Sequence, residues 1–419
     1  MGKLAKQIAI VGAGMSKFGQ FPDLTSRDLW AEAYLNARAS VDKGIQAEDI
    51  EALYIGNFSS DLFELQGHLG PCTAELAGLV PKPSTRTEDA CCSSGVAIRE
   101  GILAIASGLY DIVCVGGVEK MSDLPTAGVT DTLAAGADRI HEFFAGCTFP
   151  GLYATMATAH MAQYGTKMEH FMMVGIKNHN NGQYNPFAQM PFSIPTIMQQ
   201  KVSKAEKRGQ PKPTWKDEFE FLKDTKANPF IAYPMRLFDC SLVSDGAACL
   251  FLTTADKAKK FTDTPIYLAG TGQGSETFAI HDRKSLTSLG SAKYASQEAY
   301  KMAGVGPKDI QIAEVHDCFT IAEIIAIEDV GFFEKGKATK AIENGETARD
   351  GAKPINTSGG LKSKGHPVGA TGVAQAVEIW KQMRGQAEGE RQVKFDVECA
   401  MTHNVGGSGG SCVIHIYKK

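Results

Sequence analysis

The chain has 419 residues, 43% hydrophobic and 21% charged, a globular composition with enough chain for two or three domains. A formal net charge of -4 gives no reason to expect nucleic acid or an anionic membrane as partner, and no apolar run approaches the roughly 18 residues of a membrane span. The 10 cysteines include no C-x-x-C pair, which fits reduced thiols in the cytoplasm better than a disulfide framework or a zinc site.

In chain order, residues 8–12 read as a first strand and not as the core of a signal peptide, because the apolar stretch is short and broken by glycine. Lys6 stands where a myristoylation site after Gly2 would need Ser or Thr, and Lys17 takes the place of the third glycine of a dinucleotide loop begun by Gly12 and Gly14. Residues 52–55 read as a second strand. The run CCSSG then opens an apolar stretch, Val96 to Ala106, predicting a buried helix ended by Ser107-Gly108. Residues 111–115 read as a buried strand closed in a turn by Gly116-Gly117. A cysteine in the first helical turn meets unpaired N–H groups and the positive end of the macrodipole, which favour thiolate over thiol. Cys92 is the candidate; the alternative is that Cys91 and Cys92 are small core residues.

Internal repetition organises the rest. GIQAEDI (44–50) ahead of the second strand is echoed by GVGPKDI (304–310) ahead of residues 312–315, and each follows a helix carrying Ala-Tyr, at Ala33-Tyr34 and Ala299-Tyr300. Residues 8–12 match 266–270, and Gly95-Val96-Ala97 matches Gly372-Val373-Ala374. Two copies of one α/β unit, packed together, would bring equivalent strand ends and helix starts to one cleft. The second copy carries His316-Asp317-Cys318-Phe319 where the first has Gly56-Asn57-Phe58-Ser59. Its glycine-rich loop at 356–372 delivers His366, and the loop at 403–410 offers N–H groups to a substrate oxygen. Three such loops and Cys92 together favour an active site over ordinary turn chemistry. His179 and His403 read instead as structural histidines, and Met172 and Met173 as a helix core face.

CCSSG, GGVEKMSDLP, DCSLVSDGAA, HDCF, SGGLKSKGHPVGATG and HNVGGSGGS together resemble the motif set of the thiolases, in particular the sterol-carrier-protein-type branch and its bacterial and archaeal relatives. The resemblance implies an α/β fold of two similar halves forming a five-layered core with an inserted loop domain: residues 1–123 with 238–262, a loop domain at 124–237, and 263–419. It also implies a homodimer or a dimer of dimers, and an acyltransferase without metal or redox cofactor that takes acyl-CoA, with coenzyme A as co-substrate.

Carried onto this sequence, the resemblance makes Cys92 the acylated nucleophile and His366 its base. Asn404-Val405-Gly406 holds the place of the second catalytic cysteine of most thiolases, so that duty passes to Cys318, with His316 as an oxyanion donor. His366 and His316 would hold one oxyanion, the N–H groups of Gly406 and Cys92 the other. Ser241 and Asn404 would contact substrate and Met156 would line the acyl pocket. The reaction expected is CoA-dependent cleavage of a 3-ketoacyl-CoA, aliphatic (acetoacetyl-CoA) or aromatic (benzoylsuccinyl-CoA type), or the reverse Claisen condensation. Cys318 would protonate the leaving carbon and CoA would then take the acyl group from Cys92. A ketoacyl-synthase-like condensing enzyme and a non-catalytic acyl-CoA-binding subunit are the alternatives.

Residues 201–226 lie outside the resemblance. Lys201, Lys204, Lys207, Arg208, Lys212 and Lys216 precede an acidic stretch, Pro211 and Pro213 preclude a helix between them, and Trp215, Phe219, Phe221 and Leu222 are too apolar for a free linker. The charge run reads first as a solvated face; the segment is expected to pack, and the alternative is that its basic half meets CoA phosphates or an acidic partner, such as a small zinc-ribbon, OB-fold subunit of the kind that works with some relatives.

Overall fold

The structure, a computed structural model, describes residues 6–419; the reading of Gly2 lies outside them. In the first half, β1 (Ile8–Met15), β2 (Ala52–Gly56), β3 (Ser84–Thr87) and β4 (Ile112–Glu119) are followed by a small hairpin, β5 (Phe230–Ala232) and β6 (Met235–Arg236), and by β7 (Gly246–Thr254). The second half supplies β8 (Ile266–Ser275), β9 (Ile312–Val315), β10 (Cys399–Gly406) and β11 (Ser411–Lys418). The strands run in the order β3-β2-β4-β7-β1-β8-β11-β10-β9.

The pairing repeats across the halves. β1 is antiparallel to β7, β7 to β4, and β4 is parallel to β2. In the same sense β8 is antiparallel to β11, β11 to β10, and β10 is parallel to β9. Among the described residues, only Ile8–Ile10 and Ile266–Leu268 join the two sets, so two sheets share one edge-to-edge seam. This is the duplication read from the sequence.

Five layers result. Helix Ser26–Ala39, opened by a Thr25/Asp28 capping box, covers β1 and β7 from outside, and helix Gly290–Ala303 covers β8 and β11. Between the sheets lie helices Ser93–Ala106 and Thr371–Met383. Ile98, Ile102 and Ile105 of the one and Val373, Val377 and Trp380 of the other share a core with Val113, Leu250 and Ala400. Each large apolar side chain buried this way contributes roughly 1.5–3 kcal/mol. The two helix starts meet main chain to main chain: a Cβ on Gly372 would sit 2.4 Å from Gly95 N.

Gly116 and Gly117 do not turn the chain, as the sequence suggested, but continue β4. They are glycines because space is lacking: a Cβ on Gly116 would lie 2.1 Å from the Trp30 ring, and one on Gly117 2.3 Å from the Gly369 carbonyl oxygen. The strand thereby reaches Glu119.

Between β4 and β7 the chain forms, among other elements, helices Thr126–Leu133, Phe149–Tyr164, Met168–Gly182, Ile194–Lys207 and Glu218–Lys223. Those starting at Phe149 and Met168 pack on helix Thr320–Asp329 of the second half. In the 201–226 segment the stretch holding Pro211 and Pro213 is irregular, and Trp215, Phe219, Phe221 and Leu222 pack with Met172, Ile194 and Ile197. Lys204, Lys207, Arg208, Lys212 and Lys216 remain exposed. No described helix is long and apolar enough to cross a membrane.

Candidate active site

The first half enters the site through a tight turn, Ala90–Cys92, immediately before helix Ser93–Ala106. Ala90 holds φ at +47°, a left-handed conformation that a Cβ disfavours. The turn sends the two adjacent cysteines in different directions. Cys91 lines a largely apolar cavity of about 160 Å³ together with Cys318, His366 and Gly407. Cys92 is fully buried, its sulfur 3.0 Å from the Asp89 carbonyl oxygen and 3.3 Å from Ser411 Oγ. Its N–H donates to the same Asp89 carbonyl at 3.0 Å and is therefore not free to receive an oxyanion.

The second half delivers its residues from equivalent places. His316 and Cys318 follow β9 directly, and His366 precedes the short turn Val368–Ala370 that opens helix Thr371–Met383. The Cys91 sulfur and one ring nitrogen from each of His316 and His366 lie within 4.8 Å of one another, and the two rings meet edge to face at 5.0 Å. Cys92 has no part in this group.

Hydrogen bonds set the two imidazoles in opposite tautomers. Asn404 Nδ2 lies 3.1 Å from the Cys91 carbonyl oxygen, which can only accept, so this atom is the amide NH₂. The same nitrogen donates to His316 Nδ1 at 3.1 Å. The His316 proton is thus on Nε2, a buried atom without a protein partner. Thr371 Oγ1 donates to the Pro367 carbonyl at 3.0 Å and accepts from His366 Nδ1–H at 2.7 Å, which leaves His366 Nε2 as a lone pair. One ring offers a hydrogen, the other a base. The same three side chains form a geometric metal-binding set.

Neither thiol is poised as a thiolate, contrary to the expectation from the helix N-terminus. Burial pushes Cys91 up to about 12, although the N–H groups of Gly407 and of Cys91 itself lie against its sulfur and oppose the shift. Burial and Asp89 push Cys92 well above the ordinary thiol range. Burial also raises Cys318, opposed by the Tyr153 hydroxyl beside it. His366 is lowered to about 3 by burial and the Lys364 ammonium, and His316 well below its usual value by burial and the neighbouring histidines. Desolvation outweighs the helix dipole, and the resting pair is thiol and neutral imidazole.

Three other sequence expectations are redistributed. Gly406 packs against Cys92, where a Cβ would stand 3.0 Å from its sulfur, whereas Gly407 lines the cavity. Met156 belongs to the hydrophobic core; from its helix Phe149 and Pro150 reach the cavity, and Tyr153, one turn beyond Phe149, lies behind Cys318. Ser241 does line the cavity, and its N–H donates to the Cys318 carbonyl at 2.8 Å. Asn404 sits behind His316 and Cys91.

Comparison with known proteins bears on the family. The N-terminal thiolase domain matches residues 8–256 and the thiolase C-terminal-like domain residues 272–419. The chain belongs to the thiolase family. An acetyl-CoA acetyltransferase of Methanothermobacter thermautotrophicus is 44% identical over 414 residues, covering 99% of this chain and 100% of that protein. Sterol carrier protein 2 of Bos taurus is 30% identical, covering 99% of this chain and 73% of the relative. Among solved structures, the Ltp2-ChsH2(DUF35) aldolase superposes with a TM-score of 0.77 at 22% identity, over 98% of this chain and 97% of that one. Human mitochondrial 3-ketoacyl-CoA thiolase in complex with CoA gives 0.66 at 18%, over 100% and 99%. The protein is an enzyme of the acyltransferase class.

In this thiolase, sequence reasoning missed Glu119, although GGVEKMSD contains it. Its buried carboxylate accepts from Phe58 N at 2.8 Å, Ser59 N at 3.1 Å, Asn57 Nδ2 at 3.0 Å and Gly369 N at 3.0 Å. Burial pushes it up to about 7, against these donors. It clamps the loop after β2 to the turn that follows His366. The segment at 240–243 performs a similar service from the other side, through bridges Cys240 to Phe319 and Val243 to His366.

Proposed function

We propose that this thiolase performs CoA-dependent cleavage of a 3-ketoacyl-CoA, or the reverse Claisen condensation, through an acyl thioester on Cys91 rather than Cys92. The observation carrying this reading is the cavity shared by Cys91, Cys318 and His366, with a ring nitrogen of His316 within 4.8 Å of the Cys91 sulfur and of a His366 ring nitrogen. His366 Nε2 takes the Cys91 proton as the sulfur adds to the ketone. The departing enolate of the thioester is held by His316 Nε2–H, in a water-poor cavity where such a donor is effective. Cys318 S–H protonates C2, releasing acetyl-CoA or its homologue. The resulting Cys318 thiolate takes the proton of incoming CoA, whose sulfur attacks acyl-Cys91, and His366 returns its proton to Cys91. The N–H groups of Gly407 and Cys91 hold the acyl oxygen, a role supported by their lying against the Cys91 sulfur.

The test is intact-mass analysis after mixing with acetyl-CoA, followed by peptide mapping and a panel of aliphatic and aromatic 3-ketoacyl-CoA substrates. An acetyl adduct on Cys91 and CoA-dependent cleavage of panel members are expected; an adduct on Cys92, or none, overturns the reading. Cys318→Ala is expected to retain acetyl transfer to Cys91 while cleavage falls roughly 10²- to 10⁴-fold.

The enzyme acts as a homodimer, and the exposed basic face at Lys204, Lys207, Arg208, Lys212 and Lys216 meets CoA phosphates or a small partner subunit. The DUF35 component named with the aldolase neighbour supports the latter. Deleting residues 202–225 is expected to raise the KM for CoA or abolish co-purification of the partner; no change in either sinks the proposal.

A further inference from the structure

Tyr153 is 1% exposed on helix Phe149–Tyr164, and its ring stacks on Phe319 with centroids 4.5 Å apart. Phenylalanine would serve that packing. A phenolic oxygen buried on a side chain of the hydrophobic core costs desolvation unless it is hydrogen-bonded, so its partners are informative. The hydroxyl donates to the Gly407 carbonyl at 3.2 Å and also lies beside the Cys318 thiol. Gly407 in turn places its N–H against the Cys91 sulfur. One phenol therefore touches the wall of the cavity on both sides, at the second cysteine and at the loop embracing the first.

A phenol has one proton and can serve one acceptor at a time. While Cys318 carries its own hydrogen, the Tyr153 O–H is best used on the Gly407 carbonyl, and its oxygen is free to accept from the Cys318 S–H. Once Cys318 has given up its proton the sulfur is the stronger acceptor, because a hydrogen bond to a charged group exceeds one to a neutral carbonyl. Burial and Cys318 hold the Tyr153 hydroxyl well above its usual value, so it stays protonated and rotates rather than ionises.

We propose that Tyr153 is the positioning residue of Cys318, its hydroxyl hydrogen turning from the Gly407 carbonyl to the Cys318 sulfur each time that sulfur becomes a thiolate. The proposal rests on the acid/base role given to Cys318 above. In the forward step the Cys318 S–H bond breaks and a C–H bond forms at C2 of the leaving enolate. The negative charge then resides on Cys318, where the Tyr153 O–H meets it without transferring its proton. In the second step the CoA S–H bond breaks, its proton restores Cys318 S–H, and Tyr153 turns back to Gly407. No proton of Tyr153 is consumed.

The experiment compares Tyr153→Phe, and a variant carrying 3-fluorotyrosine at position 153, with the wild-type enzyme. In a Cys91→Ser background the iodoacetamide labelling rate of Cys318 reports its thiolate. Loss of the hydrogen bond is expected to slow that labelling roughly 10- to 100-fold in Tyr153→Phe, and 3-fluorotyrosine, which keeps the hydroxyl, restores it. With Cys91 present, cleavage kcat falls by a similar factor at unchanged KM, while acetylation of Cys91 by acetyl-CoA is unchanged. Equal Cys318 labelling in Tyr153→Phe and wild type, or equal loss of acetylation and cleavage, overturns the proposal. Labelling needs no turnover, so a wild-type enzyme that neither acetylates nor cleaves refutes the function assigned above while the labelling arms still decide the hydrogen bond.

Discussion

Cys91 and Cys92 begin the same helix, yet the two sides of the turn that carries them have little in common. On the Cys91 side lie two histidines, a second thiol and walls built from Met121, Val129, Phe149 and Val368. On the other side an open groove is lined by Glu88, Asp89, Arg99, Gln273 and Ser411, and the Cys92 sulfur is already engaged by Asp89 and Ser411. Both cysteines are near the same helix N-terminus, so the macrodipole cannot be what distinguishes them. The distinction comes from what each sulfur faces: two imidazole rings for the one, a carbonyl and a hydroxyl for the other.

The contrast can be broken most severely at Cys91 itself. Cys91→Ser is expected to reduce acyl transfer and cleavage to background, with no acetyl adduct by mass, whereas turnover at a tenth of wild type would return the role to Cys92. Next comes His316→Ala, which removes the Nε2–H donor; kcat is expected to fall roughly 10²- to 10³-fold, as for other single oxyanion donors. Asn404→Asp is a sharper probe of the same atom, because a carboxylate accepts from Nδ1 and shifts the proton off Nε2.

A pH series addresses the resting state. With Cys91 pushed up to about 12, its thiolate is the minor form throughout the accessible range and grows with pH. Alkylation of Cys91 in the free enzyme is expected to rise about tenfold per pH unit from pH 7 to 10. A plateau near neutrality would mean a preformed thiolate and an ion pair with His366. The smallest effect belongs to Cys92→Ala: a loss of about 1 kcal/mol in stability by denaturant titration, with kcat/KM within about threefold of wild type.

Much of this architecture can be read from the letters alone. The paired motifs before β2 and β9, and the glycine pairs opening the two central helices, announce a duplicated unit because close packing at equivalent positions demands small residues at equivalent positions. HDCF and GHP bring His316, Cys318 and His366 to one place as expected. Reading Cys91 in place of Cys92 as the nucleophile, as proposed above, depends on Ala90 adopting φ of +47°, which nothing about an alanine announces. The thiol charge was misjudged because the helix N-terminus is visible in a sequence and full burial is not. Met156 was expected at the cavity, whereas Phe149 and Pro150 of the same helix line it, because composition cannot say which turn of a helix faces a cavity.

The contact between Gly95 and Gly372 has a bearing on temperature. Each central helix carries its half of the catalytic group just ahead of its first turn, and the separation of those halves is gauged by main chain lying on main chain. Such a gauge has no rotamers to populate on warming. The spacing between Cys91 and His366 loosens only when the helices themselves part, and that parting opens the central apolar layer. Heat inactivation and collapse of tertiary structure are therefore expected to coincide in this enzyme, when activity and near-ultraviolet circular dichroism are followed together on warming.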